Sequence, residues 1–171
     1  MESASFKRGY TFGVLTLSDK GSRGERDDTS GTMLCDLLVD EGYVLAEYEL
    51  IADQLELITA RLIDWSDNRS IDLILTTGGT GVSPRDVTPE ATLMVVEKQI
   101  PGIVEAMRAA SMHITVNAVL SRGVAGIRGK SLIINLPGSK KAARENIEVV
   151  LPALRHALYK LKGGTKDCAP T

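Results

Sequence analysis

A short apolar run that ends at a glycine-rich turn constrains this fold more than any other feature. The residues Ile71-Asp72-Leu73-Ile74-Leu75 lead directly into TTGGTG, residues 76–81. A continuous apolar run of this length is typical of a strand buried on both faces, as in a parallel sheet covered by helices. The glycines therefore begin at the carboxyl end of a buried strand.

The preceding half of the chain repeats a unit of strand, polar loop and helix. Tyr10 to Ser18 and Tyr43 to Ile51 are predicted strands, and each is followed by apolar residues at helical spacing. Alternation of this kind predicts a three-layer α/β/α domain with a mostly parallel sheet. The apolar residues that mark the two helices are Met33, Leu34, Leu37 and Leu38, and then Leu55, Ile58, Leu62 and Ile63.

The following half continues the pattern with less regularity. Thr88 is the predicted cap of a helix that has Pro89 at its first position and ends near Glu97, and a further helix is predicted after Ile100-Pro101-Gly102. Gly129-Lys130 separates two short strand patterns, which predicts a hairpin or a return strand. A final helical stripe contains Pro152, which is expected to kink or restart that helix.

Composition limits the classes of partner. The 171 residues, 43% of them hydrophobic, predict a single domain over 1–171 with flexible tails at 1–9 and 163–171. A net charge of −2 provides no strong field for nucleic acid or for an anionic membrane surface. No segment approaches the roughly 18 apolar residues of a membrane span, so a cytoplasmic location is expected. Cys35 and Cys168 show no metal-site spacing, and Cys35 is expected to be a small buried hydrophobe.

Three polar segments are expected to converge, because parallel strands deliver their carboxyl ends to one rim where ligands bind. They are Ser18-Asp19, Gly78 to Asp86, and Pro137-Gly138-Ser139. Glycines at 78, 79 and 81 allow backbone N–H groups to approach a phosphate. A tight strand-to-helix turn would be the preferred explanation of a lone glycine pair, but the length of this polar stretch favours a phosphate site. Their spacing fits neither a Walker A loop nor a dinucleotide fingerprint.

Three acidic residues lie at or near the predicted strand ends: Asp19, Asp53 and Asp86. Each has a simpler explanation, since Asp53 can cap a helix that begins near Gln54 and Asp86 can cap its own loop. Together they exceed what capping requires, which indicates a metal-assisted phosphate site. Neither His113 nor His156 lies in a catalytic or metal-binding pattern, so a hydrolase triad is not expected. Ser139 can cap the last helix, and Lys140-Lys141 is interpreted as its solvated first turn.

At TTGGTGVSPRDVTPEAT, residues 76–92, the chain resembles the molybdenum-cofactor biosynthesis family that includes bacterial molybdopterin adenylyltransferases and the amino-terminal domain of gephyrin. The resemblance extends to LTLSD, DDTSG, IPGIVEAMR and LSRGVAGIRGKSLIINLPGS, and therefore covers nearly the whole chain. It implies a trimeric α/β protein that binds molybdopterin and Mg-ATP, transfers AMP to molybdopterin and releases pyrophosphate. A separate protein is then expected to insert molybdate.

The resemblance also implies roles for individual residues. Asp53 and Asp86 correspond to metal-binding and catalytic positions. The nucleotide-binding positions are Gly78, Gly79, Thr80 and Gly81, and the pterin-pocket positions are Ser18, Asp19, Pro137, Gly138 and Ser139. Two alternatives remain open: a pterin-binding module without catalysis, and a nucleotide-pyrophosphate hydrolase that uses the same loop and metal.

Overall fold

The computed structural model describes residues 9–165, which fold around one sheet of six strands. Cys168 and most of the predicted flexible tails lie outside the described residues. The strands are β1 (Thr11–Leu17), β2 (Val44–Ile51), β3 (Leu73–Thr77), β4 (Lys98–Gln99), β5 (Ala125–Arg128) and β6 (Ser131–Leu136). Their order is β2-β1-β3-β6-β5-β4. Strands β2, β1, β3 and β6 pair in parallel, whereas β5 runs antiparallel to its neighbours β6 and β4. The expected hairpin around Gly129 is therefore confirmed.

Helices cover the sheet on both faces. They are α1 (Asp19–Ser22), α2 (Thr29–Asp40), α3 (Leu55–Ile63), α4 (Thr88–Val95), α5 (Pro101–Met112) and α6 (Lys140–Leu161). A π-helical turn, Asp64–Asn68, extends α3, and a 3-10 helix spans Val116–Leu120. The sequence patterns did not predict α1, the π-helical turn or β4. No helix among residues 9–165 is both long and apolar enough to cross a membrane.

The core consists of two apolar clusters, one on each face of the sheet. Leu73 and Leu75 point into the cluster that contains residues of α2, α5 and α6. Ile74, between them, points into the cluster formed with α3, Trp65 and α4. All five residues of β3 are buried, as the continuous apolar run predicted. The three-layer α/β/α architecture with a mostly parallel sheet is thereby confirmed.

Two helix predictions need correction. Thr88 does not cap α4: Val87 occupies the cap position, Thr88 and Pro89 are the first two helical residues, and the helix ends at Val95. The Thr88 hydroxyl instead donates a hydrogen bond to the Gly78 carbonyl oxygen at 2.9 Å. Pro152 does not restart α6, which runs without interruption from Lys140 to Leu161. Pro152 is exposed, so water can bind the carbonyl group left without an amide partner.

The strand order fixes the position of the ligand site. From β1 the chain continues to β2 on one side and then to β3 on the other side. Ligands in open α/β sheets bind outside the carboxyl ends of the strands at such a reversal. The loops that follow β1, β2, β3 and β6 meet there.

Candidate functional site

A cavity of about 380 Å³ lies at the carboxyl ends of these four strands. All three predicted polar segments contribute to it, which confirms their expected convergence. The residues that line it share one property, a position in or beside a loop that follows a parallel strand. They include Thr16, Ser18, Arg26, Asp27, Asp28, Ser30, Asp53, Gly78, Gly79, Asp86, Gly138 and Ser139.

The turn after β3 requires glycine for two reasons. Gly78 and Gly79 have φ angles of +104° and +65°, a region that other residues rarely adopt. A Cβ on Gly78 would also overlap the Leu17 carbonyl oxygen, and a Cβ on Gly79 would lie 3.0 Å from Oδ1 of Asp53. The backbone of this turn therefore passes directly against β1 and against a carboxylate.

Asp53 is joined to Asp19 by a reciprocal pair of hydrogen bonds. The Asp19 amide donates to Oδ2 of Asp53 at 3.0 Å, and the Asp53 amide donates to Oδ1 of Asp19 at 3.1 Å. The cap position of α3 is occupied by Gln54, so Asp53 does not cap that helix. Oδ1 of Asp53 accepts no hydrogen bond from the described residues. This oxygen remains available to a ligand in the cavity.

Arg85 reaches across from the glycine loop to Asp19. Its Nε and Nη2 atoms lie 3.0 and 2.6 Å from Oδ2 of Asp19. The guanidinium holds the pKa of Asp19 below its ordinary value. Asp19 is fully engaged by this ion pair and by Asp53, and its side chain does not line the cavity. Of the three acidic residues expected at the strand ends, Asp53 and Asp86 line the cavity and Asp19 does not.

Asp86 is held at the far end of the glycine loop. Its Oδ2 atom accepts a hydrogen bond from the Ser83 amide at 2.9 Å, and a Cβ on Gly81 would lie 2.9 Å from the same oxygen. Asp86 therefore does cap its own loop, as the simpler explanation proposed. It also lines the cavity together with Asp53.

The electrostatic environment of Asp53 is unfavourable for a bare carboxylate. Burial raises the pKa of Asp53 most, and the neighbouring carboxylates of Asp19 and Asp86 raise it further. The Asp19 amide and Arg85 act in the opposite direction without cancelling the shift. Additional positive charge in the cavity would stabilise the ionised form.

The beginning of α2 forms the opposite wall. Asp28 caps this helix by accepting from the Gly31 amide at 2.8 Å, and its other oxygen accepts from the Tyr48 hydroxyl at 2.6 Å. Burial and this bond to Asp28 raise the pKa of Tyr48. The Ser30 hydroxyl donates to the Gly138 carbonyl oxygen at 2.8 Å, which ties α2 to the loop after β6.

Not every predicted site residue lies in this cavity. Thr80, Gly81 and Pro137 line a separate cavity of about 340 Å³. Ser139 lines the first cavity and caps α6 by accepting from the Ala142 amide at 3.1 Å. Lys141 lies 3.8 Å from Glu145 on the exposed surface of α6, which agrees with a solvated first turn.

Sequence reasoning missed Arg26. It supplies the basic side chain among the described residues that line the cavity, and it forms no ion pair with them. The sequence offered a signal for Arg26, because it lies in the polar segment between β1 and α2. Segments that follow parallel strands are expected to meet at the ligand site. Cys35, expected to be a small buried hydrophobe, is half-buried and packs against the core, and burial raises its pKa to about 11.

The residues at 9–165 contain no group of three or more His, Cys, Asp or Glu side chains arranged to hold a metal ion. A cation here would therefore depend on Asp53, Asp86 and oxygen atoms of the ligand. Mg²⁺ suits such a site, since it typically binds one or two carboxylates together with substrate phosphates and water.

Comparison with known proteins gives a consistent result. Residues 13–156 match the family model described as "Probable molybdopterin binding domain". Molybdopterin adenylyltransferase of Helicobacter pylori is 45% identical over 155 residues, which cover 88% of this chain and 87% of that protein. Gephyrin of Dictyostelium discoideum is 40% identical over 179 residues, covering 99% of this chain and 25% of gephyrin. A crystal structure of the molybdopterin biosynthesis enzyme MoaB from Thermus thermophilus has a TM-score of 0.85 and 49% identity, covering 90% of this chain and 97% of that one.

Proposed function

The chain belongs to the molybdenum-cofactor biosynthesis family of molybdopterin-binding domains, and we propose that it is a molybdopterin adenylyltransferase. In this reaction, Mg-ATP donates AMP to the terminal phosphate of molybdopterin, pyrophosphate is released, and the adenylylated product precedes molybdate insertion. The names of relatives that are 40–45% identical over most of the chain support this activity.

One observation carries the proposal: Asp53 and Asp86 face the same cavity on either side of a glycine turn. Oδ1 of Asp53 has no hydrogen-bond donor among the described residues, and burial together with nearby carboxylates raises its pKa. These features favour a divalent cation, and carboxylate oxygens are ligands that Mg²⁺ accepts. Asp53 and Asp86 would hold Mg²⁺, which would offset repulsion between the two polyanionic substrates.

The chemistry explains the residue types. An oxygen of the terminal phosphate of molybdopterin attacks the α-phosphorus of ATP, a new P–O–P bond forms, and the bond to the β-phosphate breaks. The attacking oxygen is already anionic, so a general base is not required. The protein contributes orientation and charge complementarity, which agrees with the absence of a histidine among the residues that line the cavity.

The loops divide the two substrates between them in this proposal. The nucleotide phosphates would lie against the backbone of residues 78–81, where missing side chains allow close approach. Molybdopterin would lie toward Ser18-Asp19 and residues 137–139. Arg26 faces the same cavity and would attract either anion.

Pyrophosphate release provides the direct test. Purified protein with Mg-ATP and molybdopterin is expected to release pyrophosphate, whereas omission of pterin should abolish release. Binding of molybdopterin without release would contradict the transferase and favour a binding module. Release that does not require pterin would favour a nucleotide-pyrophosphate hydrolase.

The same proposal includes a homotrimer in the cytoplasm that passes its product to a separate molybdate-insertion protein. A strip of exposed apolar side chains supports self-association, because such patches commonly mark interfaces. Ile114, Val116, Val119 and Leu120 are each at least 50% exposed. Light scattering should give about three times the 18.4 kDa chain mass, and Val116→Glu should reduce it.

A further inference from the structure

Arg122 contacts the glycine loop from outside the cavity. It lies between the 3-10 helix and β5, and its backbone amide donates to the Thr80 carbonyl oxygen at 2.9 Å. Its side chain donates from Nε to the Gly81 carbonyl oxygen at 2.6 Å and from Nη2 to the Asp86 carbonyl oxygen at 2.8 Å. The third nitrogen, Nη1, pairs with Glu90 on α4.

The two carbonyl groups that the guanidinium binds lie at opposite ends of one exposed loop. Residues 82–85 between them are exposed, and Val82 is 66% exposed. The base of the loop is held separately, because Thr88 donates to the Gly78 and Gly79 carbonyl oxygens. At the Asp86 end, Arg85 is anchored to Asp19 through its side chain, whereas the guanidinium of Arg122 holds the backbone and acts as a brace.

The position of Asp86 depends on this brace through two contacts. Arg122 fixes its carbonyl oxygen, and the Ser83 amide within the braced loop fixes its carboxylate. Gly81 packs against that carboxylate and is held by the same guanidinium. A displacement of the loop would change the position of this carboxylate relative to Asp53, which lines the same cavity.

We propose that Arg122 is a positioning residue that holds the Asp86 carboxylate in the geometry required for adenylyl transfer. This inference rests on the proposed function. Arg122 does not line the cavity and does not contact Asp53. It binds only carbonyl oxygens of the loop at Thr80, Gly81 and Asp86, and leaves their amide groups, which would face the nucleotide phosphates, untouched. Its effect on turnover passes through Asp86.

Arginine is required here for its shape as well as its charge. The planar guanidinium presents nitrogen donors in a fixed fork, which can bind two carbonyl groups and a carboxylate together. A lysine ammonium is a point charge on a flexible stem and cannot reproduce that fork. Glu90 neutralises the guanidinium without touching the glycine loop.

Steady-state kinetics of Arg122→Lys and Arg122→Ala test the proposal, with Glu90→Gln as the matched control. Loss of the fork should lower kcat by about 10- to 100-fold, the range typical for residues that orient metal ligands. The KM for molybdopterin should stay within about 2-fold, because the pterin segments are untouched. Glu90→Gln removes the ion pair and keeps both carbonyl contacts, so its kcat should remain within about 3-fold of wild type.

Two further measurements separate positioning from general destabilisation. Methylguanidinium should partly restore kcat to Arg122→Ala, and amide exchange at Ser83 and Asp86 should accelerate while the β1 amides remain protected. Near wild-type kcat in both Arg122 variants, or equal losses in Glu90→Gln and Arg122→Lys, would overturn the proposal. An inactive wild-type protein would refute the transferase function itself, and unchanged exchange in Arg122→Ala would separately refute the brace.

Discussion

Each end of the parallel sheet carries a reciprocal pair of hydrogen bonds that joins β1 to a neighbouring strand. At the amino end, the Thr11 amide donates to Oδ2 of Asp72 at 2.8 Å, and the Asp72 amide donates to the Thr11 hydroxyl at 3.1 Å. At the carboxyl end, Asp19 and Asp53 form the equivalent pair. The two arrangements differ in charge.

The amino-end carboxylate is completely satisfied. Asp72 is 6% exposed, and its remaining oxygen lies 2.5 Å from Nζ of Lys162. At the carboxyl end both partners are carboxylates, Asp86 adds a third, and Arg85 supplies one guanidinium. A buried carboxylate is tolerated when its partners are complete, and the fold then depends on those partners, whereas an incompletely neutralised group beside a cavity is typical of a functional site.

The largest expected effect tests whether the carboxylates at the carboxyl end of the sheet act in catalysis. Asp86→Asn should lower kcat by about 100- to 1000-fold, because one of the two carboxylates that would hold Mg²⁺ at the reacting phosphates is lost. The free energy of unfolding should change by no more than about 0.5 kcal/mol, since the amide oxygen can still accept from Ser83. Pyrophosphate release and urea unfolding measure both quantities. Full turnover in this variant would remove Asp86 from the mechanism.

Gly78→Ala should affect both stability and activity. It places a Cβ at φ +104° against the Leu17 carbonyl oxygen, so the free energy of unfolding should fall by about 2 kcal/mol or more. Gly24→Ala is the matched control, because Gly24 has φ +72° and open space around the added carbon. Equal losses in the two variants would show that the dihedral angle alone requires glycine.

Lys162→Met tests whether the ion pair at the amino end of the sheet affects stability and not catalysis. It leaves the buried Asp72 oxygen without its partner, so the free energy of unfolding should fall by about 1–3 kcal/mol while kcat per folded molecule is unchanged. Adding Asp72→Asn should recover part of the loss, because a neutral amide does not require the ammonium. A fall in kcat without a change in urea midpoint would contradict the assignment of this end to stability.

The smallest effect concerns Arg26, the unpaired cation at the cavity. Arg26→Gln should raise KM for an anionic substrate by about 2- to 5-fold, the size expected for an exposed charge interaction under about 1 kcal/mol. The increase should shrink at high salt. Arg23→Gln is the control, because Arg23 pairs with Glu25 and does not line the cavity. An identical change in both variants would indicate a general field effect.

The fold and the location of the site follow from local sequence patterns. The buried run of β3, the two preceding strand and helix units, and the rule for strand carboxyl ends together predicted the convergence of Ser18, Gly78 and Gly138. Such patterns work because burial and backbone direction repeat along a regular element.

Contacts to backbone carbonyl groups explain what the sequence did not predict. Thr88 was predicted to cap a helix, yet its hydroxyl donates a hydrogen bond to the Gly78 carbonyl oxygen. The glycine turn brings this oxygen within reach of the hydroxyl. Arg122 and Arg85 act on residues 36 to 66 positions away, a separation at which no periodicity exists. Long-range polar contacts of this kind depend on the completed fold.

The strand order also has a consequence for synthesis of the chain. Among the strands of residues 9–165, β6 is the last to be synthesised, yet it pairs with β3 near the middle of the sheet. Until Ser131–Leu136 leaves the ribosome, the fully buried β3 has an open edge, and such edges favour pairing between chains. Nascent chains are therefore most prone to aggregate just before β6 emerges, and a premature stop codon before that strand should yield insoluble protein.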